Sequence, residues 1–114
     1  MLLCKKMVVE HLAVNDKNQV TIANAKCIPR IVSAMVNHSS NATVQHFGCG
    51  ALCVLASKNY KNRVTIVQAG GITTILSAMK IHSSNATVQE NGCGALANLA
   101  VNKNNSVHHG DGDE

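Results

Sequence analysis

His46, Cys49 and Cys53 stand at i, i+3 and i+7, so a helix through them would gather three soft-metal ligands on adjoining parts of one face. A second copy of the segment, 44 residues on, carries Glu90, Cys93 and Ala97 instead. A ligand set belonging to the repeat would be kept in both copies, so no metal is expected, and Cys49 and Cys93 read as small buried packing residues. His38 and His82 open two identical H-S-S-N turns, followed by Ser39 and Ser40 or Ser83 and Ser84. Neither histidine is joined by a recurring acid and nucleophile, so both read as helix-end residues; exposed, they would make binding pH-dependent. In the segment NKNNSVHHGDGDE (residues 102–114), His108 and His109 lie near Asp111, Asp113 and Glu114, a weak cation binder within a polar tail. There is no phosphate loop, dinucleotide fingerprint, nucleophile elbow or zinc-protease motif. The residues therefore predict neither an enzyme nor a cofactor.

The elements that would position these side chains must be built from aliphatic residues. Hydrophobic residues make up 46% of the 114, yet Phe47 and Tyr60 are the only aromatic ones, which leaves no ring-stacking platform for a ligand. The net charge is +4, and the three acids of GDGDE leave +7 on residues 1–109. That balance favours an acidic or neutral partner over a basic one. The scattered lysines and arginines argue against nucleic acid. No run approaches the roughly 20 apolar residues of a membrane span, and Lys5, Lys6 and Glu10 interrupt what a secretory leader would need to be apolar. An odd set of cysteines (Cys4, Cys27, Cys49, Cys53 and Cys93) without a C-x-x-C pair reads as reduced thiols. The expected compartment is the cytoplasm, with the nucleus as the alternative, and the glycosylation sequons at Asn37, Asn41 and Asn85 are expected to be unoccupied.

The strongest signal is internal. Ser33–Ala56 and Ser77–Ala100 are identical at 18 of 24 positions, sharing HSSNATVQ and then GCGAL. The correspondence reaches upstream, where Asn18–Met35 matches Asn62–Met79, and LAV at 12–14 echoes LAS at 55–57 and LAV at 99–101. One residue is lost before Asn18, which places a loop there. A period in the forties is that of helical solenoids, whose units cannot bury an apolar face alone.

Within each unit the apolar spacing is three and four. Val44, Phe47, Gly48, Ala51, Leu52 and Leu55 outline a long helix over 41–57, copied by Val88, Gly92, Ala95, Leu96 and Leu99, with Asn41 and Asn85 or the serines before them as N-caps. Ile28, Ile31, Val32 and Met35 outline a medium helix, copied by Ile72, Ile75, Leu76 and Met79, and Pro29 falls early in it. A short helix is expected over 18–25 and 62–69, although the β-branched residues of 18–22 and 62–67 leave strands as an alternative. Gly70 and Gly71 end the second short helix; Lys26 and Cys27 replace them in the first, a less permissive bend. Gly48, Gly50, Gly92 and Gly94 lie inside the long helices, for close approach in a stack or, alternatively, for a kink.

The order short, medium, long, with AGGI at the first bend, resembles the armadillo repeat. The likeness is carried by NRVTIVQAGGITTILSAM (residues 62–79), NATVQENGCGALANLA (85–100) and AKCIPRIVSAM (25–35). It implies an all-α, right-handed solenoid of three-helix repeats, with a partial repeat at 1–16, repeats at 17–59 and 60–103, and a disordered tail at 104–114. It further implies a non-catalytic scaffold that holds a protein or an extended peptide on the concave face of its long helices. The residues implied for that face are His11, His46, Gly50, Cys53, Val54, Glu90, Gly94 and Asn98. In the family's peptide binders an asparagine near the end of each long helix holds the ligand backbone, with a tryptophan one turn earlier. Asn98 matches the first, while Val54 and His11 do not; Gly94, Gly50 and Met7 stand at the tryptophan position. The repeat faces at the two ends of the array lack an evident polar cap, so self-association by stacking or exchange of terminal elements is the second expectation.

Overall fold

An asparagine side chain starts three helices of this protein. In the computed structural model, which describes residues 26–57 and 59–101, Asn41 Oδ1 accepts from the Val44 N–H at 3.0 Å. Asn59 Oδ1 accepts from Asn62 N–H at 2.9 Å, and Asn85 Oδ1 from Val88 N–H at 3.1 Å. Each bond satisfies an amide that the first helical turn leaves without a partner. The described helices are α1 (Cys27–Asn37), α2 (Ala42–Ala56), α3 (Tyr60–Gln68), α4 (Gly71–Ile81) and α5 (Ala86–Ala100), with no strand among the described residues. The described residues are all-α, and both boundaries of α1 and α2 recur 44 residues later in α4 and α5. The expected helix at 18–25, the partial repeat at 1–16, the loop before Asn18 and the tail at 104–114 lie outside the described residues.

The remaining two helices begin after a residue in the left-handed region. Gly70 takes it at φ 85°, and at the equivalent place Lys26 takes it at φ 62°. A glycine reaches that geometry freely, whereas the Lys26 Cβ crowds its own carbonyl by on the order of 1 kcal/mol. The less permissive bend expected at Lys26 is thus a left-handed lysine. In α3 the β-branched run Val64–Val67 forms helix, so strand is not adopted at 62–67. The caps account for this: Asn59 opens the helix, and Ala69 and Gly70 close it on Thr65 O at 2.9 Å and Val67 O at 3.0 Å. Ile66 is then fully buried.

α5 lies along α2, while α1 packs on α2 and α4 on α5, so the long helices form the spine of the stack. Ile28, Met35, Leu52, Ile66, Ile75 and Val88 fill the core between them. Gly48 and Gly92 set the spacing of medium and long helix. A Cβ on Gly48 would stand 2.5 Å from Met35 Cγ and 2.6 Å from its Sδ, and one on Gly92 would stand 2.6 Å from Met79 Sδ. Helices α2 and α5 run unbroken through these glycines, so close approach, rather than a kink, is their role.

Gln45 and Gln89 join the same pairs of helices. Gln45 Nε2 donates to Met35 O and to His38 O, both at 3.0 Å, and Gln89 Nε2 donates to Met79 O at 2.9 Å and His82 O at 3.0 Å. Met35 O and Met79 O lie in the last turns of the medium helices, where intrahelical N–H groups run out, while His38 O and His82 O also accept the N–H of Asn41 and of Asn85, each at 2.9 Å. Gln45 is buried, so Gln45→Ala leaves Met35 O without its partner. It is expected to lower stability by about 1–3 kcal/mol, read as a lower urea midpoint at unchanged slope. Lys26→Gly should instead raise stability by about 1 kcal/mol in the same titration, through relief of the left-handed strain.

Candidate functional site: the long-helix face

The four carbonyls that end α2 have no intrahelical partner, and each is met by its own donor. Asn98 Nδ2 of α5 donates to Cys53 O at 2.8 Å. The Ser57 N–H folds back onto Val54 O at 3.1 Å. From α3, Asn62 Nδ2 donates to Leu55 O at 2.8 Å and Arg63 Nη1 to Ala56 O at 2.9 Å. One turn pair earlier, Asn91 Nδ2 donates to His46 O at 2.9 Å and lies 3.1 Å from His46 Nδ1. Asn91 and Asn98 are thus two amide clamps, seven residues apart on one face of α5, that hold it to α2. Desolvation lowers the pKa of the buried Arg63 guanidinium, the Tyr60 hydroxyl opposing that shift; its Cζ lies 5.9 Å from the Tyr60 ring centroid.

These bonds redistribute the residues expected on the concave face. Asn98 is half-buried and its amide nitrogen is turned to α2, with Cys53 Sγ also within 3.3 Å. Gly50, Cys53, Val54 and Gly94 are buried, so none of the four offers surface. Glu90 is exposed and His46 is half-buried; the His46 ring meets Phe47 edge-on, with centroids 4.4 Å apart. His11 lies outside the described residues. What the stack displays along this face is therefore Glu90 with the edges of His46 and Asn98. Among the described residues no three His, Cys, Asp or Glu side chains stand together as metal ligands, and no single helix is long and apolar enough to cross a membrane.

The helix-end reading of His38 and His82 fits their places as the C-caps of α1 and α4, but their rings differ. His82 Nε2 lies 2.8 Å from Ser39 O, so the tautomer protonated at Nε2 ties the second turn to the first. The paired thiols also part company. Cys49 is buried, as expected, whereas Cys93 is exposed and is not a packing residue. The reason is positional: α5 covers Cys49, and no described helix covers the same face of α5. Cys53 is disulfide-bonded, which corrects the expectation of reduced thiols at that position.

Buried polar residues outside the expected set do much of the joining. Gln45 was discoverable from sequence, because HSSNATVQ keeps its glutamine in both copies. Asn62 is kept likewise, as Asn18 in the first copy. Arg63 and Asn91 sent no such signal: Gln19 and Phe47 are their copies, and only the folded neighbour reveals the acceptor.

Burial pushes the Cys49 thiol from 9.0 up to about 12. Below pH 9 the thiol is protonated whether folded or not, and its contribution to stability is complete. Above pH 9 the unfolded chain ionises first, so that contribution is lost as pH rises toward 12. A disulfide-exchange reagent at pH 8 is expected to label Cys93 rapidly and Cys49 only on unfolding; equal labelling rates would contradict the burial.

Residues 59–101 match the family model described as the Armadillo/beta-catenin-like repeat. No curated protein and no solved structure gave a match to the chain. The matched residues are α3, α4 and α5 in the order short, medium, long, and this segment is similar to an armadillo-type repeat.

Proposed function

We propose that the chain is a non-catalytic scaffold segment that binds another protein. The observation that carries this reading is a stack, tied by buried amides, that presents apolar side chains to solvent. Tyr60, Val67, Ile72 and Leu76 are all exposed on α3 and α4. A cleft of about 400 Å³ opens beside them, lined by Tyr60, Arg63, Val67, Leu99, Ala100 and Val101 among others. At the equivalent end of α2, Leu55 and Ala56 are covered by α3, so the cleft is a place where apolar side chains of a partner can sit. The family likeness supports the same class of function. It does not extend to an extended peptide held by an asparagine ladder, because the Asn98 amide nitrogen is engaged by Cys53.

The excess of lysine and arginine on residues 1–109 makes an acidic or neutral partner the better fit. Peptide pools of acidic, neutral and basic composition, titrated at two salt concentrations, test this. Acidic peptides are expected to bind most tightly and to weaken as salt rises; equal binding of acidic and basic pools at both salts contradicts the charge preference. Val67→Glu should reduce binding at the cleft at least about tenfold, the loss of a buried apolar anchor. Glu90→Gln, on the long-helix face, should leave it unchanged.

A second reading, an assembly segment whose repeat faces stack on other repeats, is favoured by one specific observation. Identical residues in the two repeats differ sharply in how far they are covered.

A further inference from the structure

One described cysteine is in a disulfide, and the state of the others points to its partner. The sequence holds Cys4, Cys27, Cys49, Cys53 and Cys93. Cys27, Cys49 and Cys93 are free thiols, while Cys53 is disulfide-bonded. Within a single chain, the cysteine that remains is Cys4, which itself lies outside the described residues.

The end of the bond on α2 stands at the contact between repeats. Cys53 lies in the last turn of α2 and is 0% exposed. Asn98 Nδ2, from α5, donates to Cys53 O at 2.8 Å and to Cys53 Sγ at 3.3 Å. A bonded sulfur carries no proton and can only accept, whereas a free thiol in its place carries one. The same buried atom thus ends a covalent link and takes part in the clamp that holds α5 to α2. Cys49, one turn earlier on α2, does not compete for the link. Burial pushes its thiol up to about 12, so near neutral pH it is not the thiolate that exchange requires.

We propose that Cys53 and Cys4 form a redox-sensitive tie, which couples the first residues of the chain to the α2–α5 junction. Closing a loop of about 50 residues narrows the unfolded ensemble and so stabilises the fold. A dithiol reductant opens the tie. One of its thiolates attacks the Cys4 sulfur, because Cys53 is buried, and Cys53 leaves as a thiolate and takes up a proton. The second thiol of the reductant then displaces Cys4 from the mixed disulfide. The protein gains two electrons and two protons, and the reductant becomes a disulfide. The S–H formed on Cys53 lies beside the Asn98 amide, whose contact with the sulfur rearranges around it. Reduction therefore acts on stability through the loop and on the repeat junction through Asn98, whichever partner the scaffold binds.

The test uses the full chain, equilibrated in an oxidising glutathione buffer and then unfolded in urea with an alkylating reagent. Three thiols are expected to be labelled, and five when a dithiol is applied first. A digest of the unreduced protein should give the Cys4 and Cys53 peptides joined, lighter than their sum by two hydrogens. Reduction is expected to lower the urea midpoint of the wild type and to shift the NMR signals of the Asn98 side-chain amide. In Cys4→Ser neither should respond to the reductant. That variant leaves every described residue in place, and so avoids the folding loss that Cys53→Ser risks at a buried site. Five labelled thiols without reductant overturn the proposal, as does a joined peptide that pairs Cys53 with any cysteine but Cys4. A wild type whose midpoint and Asn98 signals ignore the reductant overturns it too, and so does a Cys4→Ser variant that responds as the wild type does.

Discussion

A helix ends in carbonyls that its own backbone cannot satisfy, and in this protein neighbouring side chains satisfy them. Asn98, Asn62 and Arg63 close the end of α2, and Gln45 and Gln89 close the ends of α1 and α4. A buried carbonyl without a partner is destabilised by about 1–3 kcal/mol, so these bonds decide which helices can lie together. Aliphatic packing supplies the bulk of the attraction but little direction. The amides provide the direction: each fits one acceptor on one neighbour, and together they hold short, medium and long helix in register.

The bonds divide by whether the residue recurs. Gln45 and Gln89, the capping Asn41 and Asn85, and the close-approach Gly48 and Gly92 recur in both copies and act within a repeat. Asn91 and Asn98 have Phe47 and Val54 as counterparts, and they act between repeats. His46 and Cys53, whose carbonyls they meet, are likewise replaced in the copy by Glu90 and Ala97. In a solenoid each unit must be built alike, whereas each junction joins two particular faces, so identity gathers inside the unit and difference at the junction. The histidines take part in both: His38 and His82 are C-caps within their repeats, and the His82 ring also reaches Ser39 O of the preceding turn.

This arrangement bears on function through what it leaves uncovered. Buried amides restrain how the helices of the stack can shift, and a surface held in place favours recognition because little order has to be imposed on binding. The long-helix face is narrowed by its own joinery, with Asn98 turned inward and the glycines and Cys53 buried. The apolar side chains of α3 and α4 and the cleft beside Tyr60 are more open.

The sequence by itself determined the unit. Its 44-residue period, the caps at Asn41 and Asn85, the medium and long helices and the glycine contacts were legible because they depend on neighbours within one repeat, and that information was printed twice. The helical state of 62–67 was less legible, since β-branched content and capping point in opposite directions. Only the tertiary structure decided which side chains face the adjacent repeat. Asn98, a residue suited to holding a ligand, is half-buried against α2; Cys49 is buried and Cys93 exposed within identical GCGAL strings; Asn91 has an acceptor that no spacing announces. The physical reason is that burial and hydrogen-bond partnership across a junction are set by whatever packs there, and a repeat reads the same whether or not another lies against it.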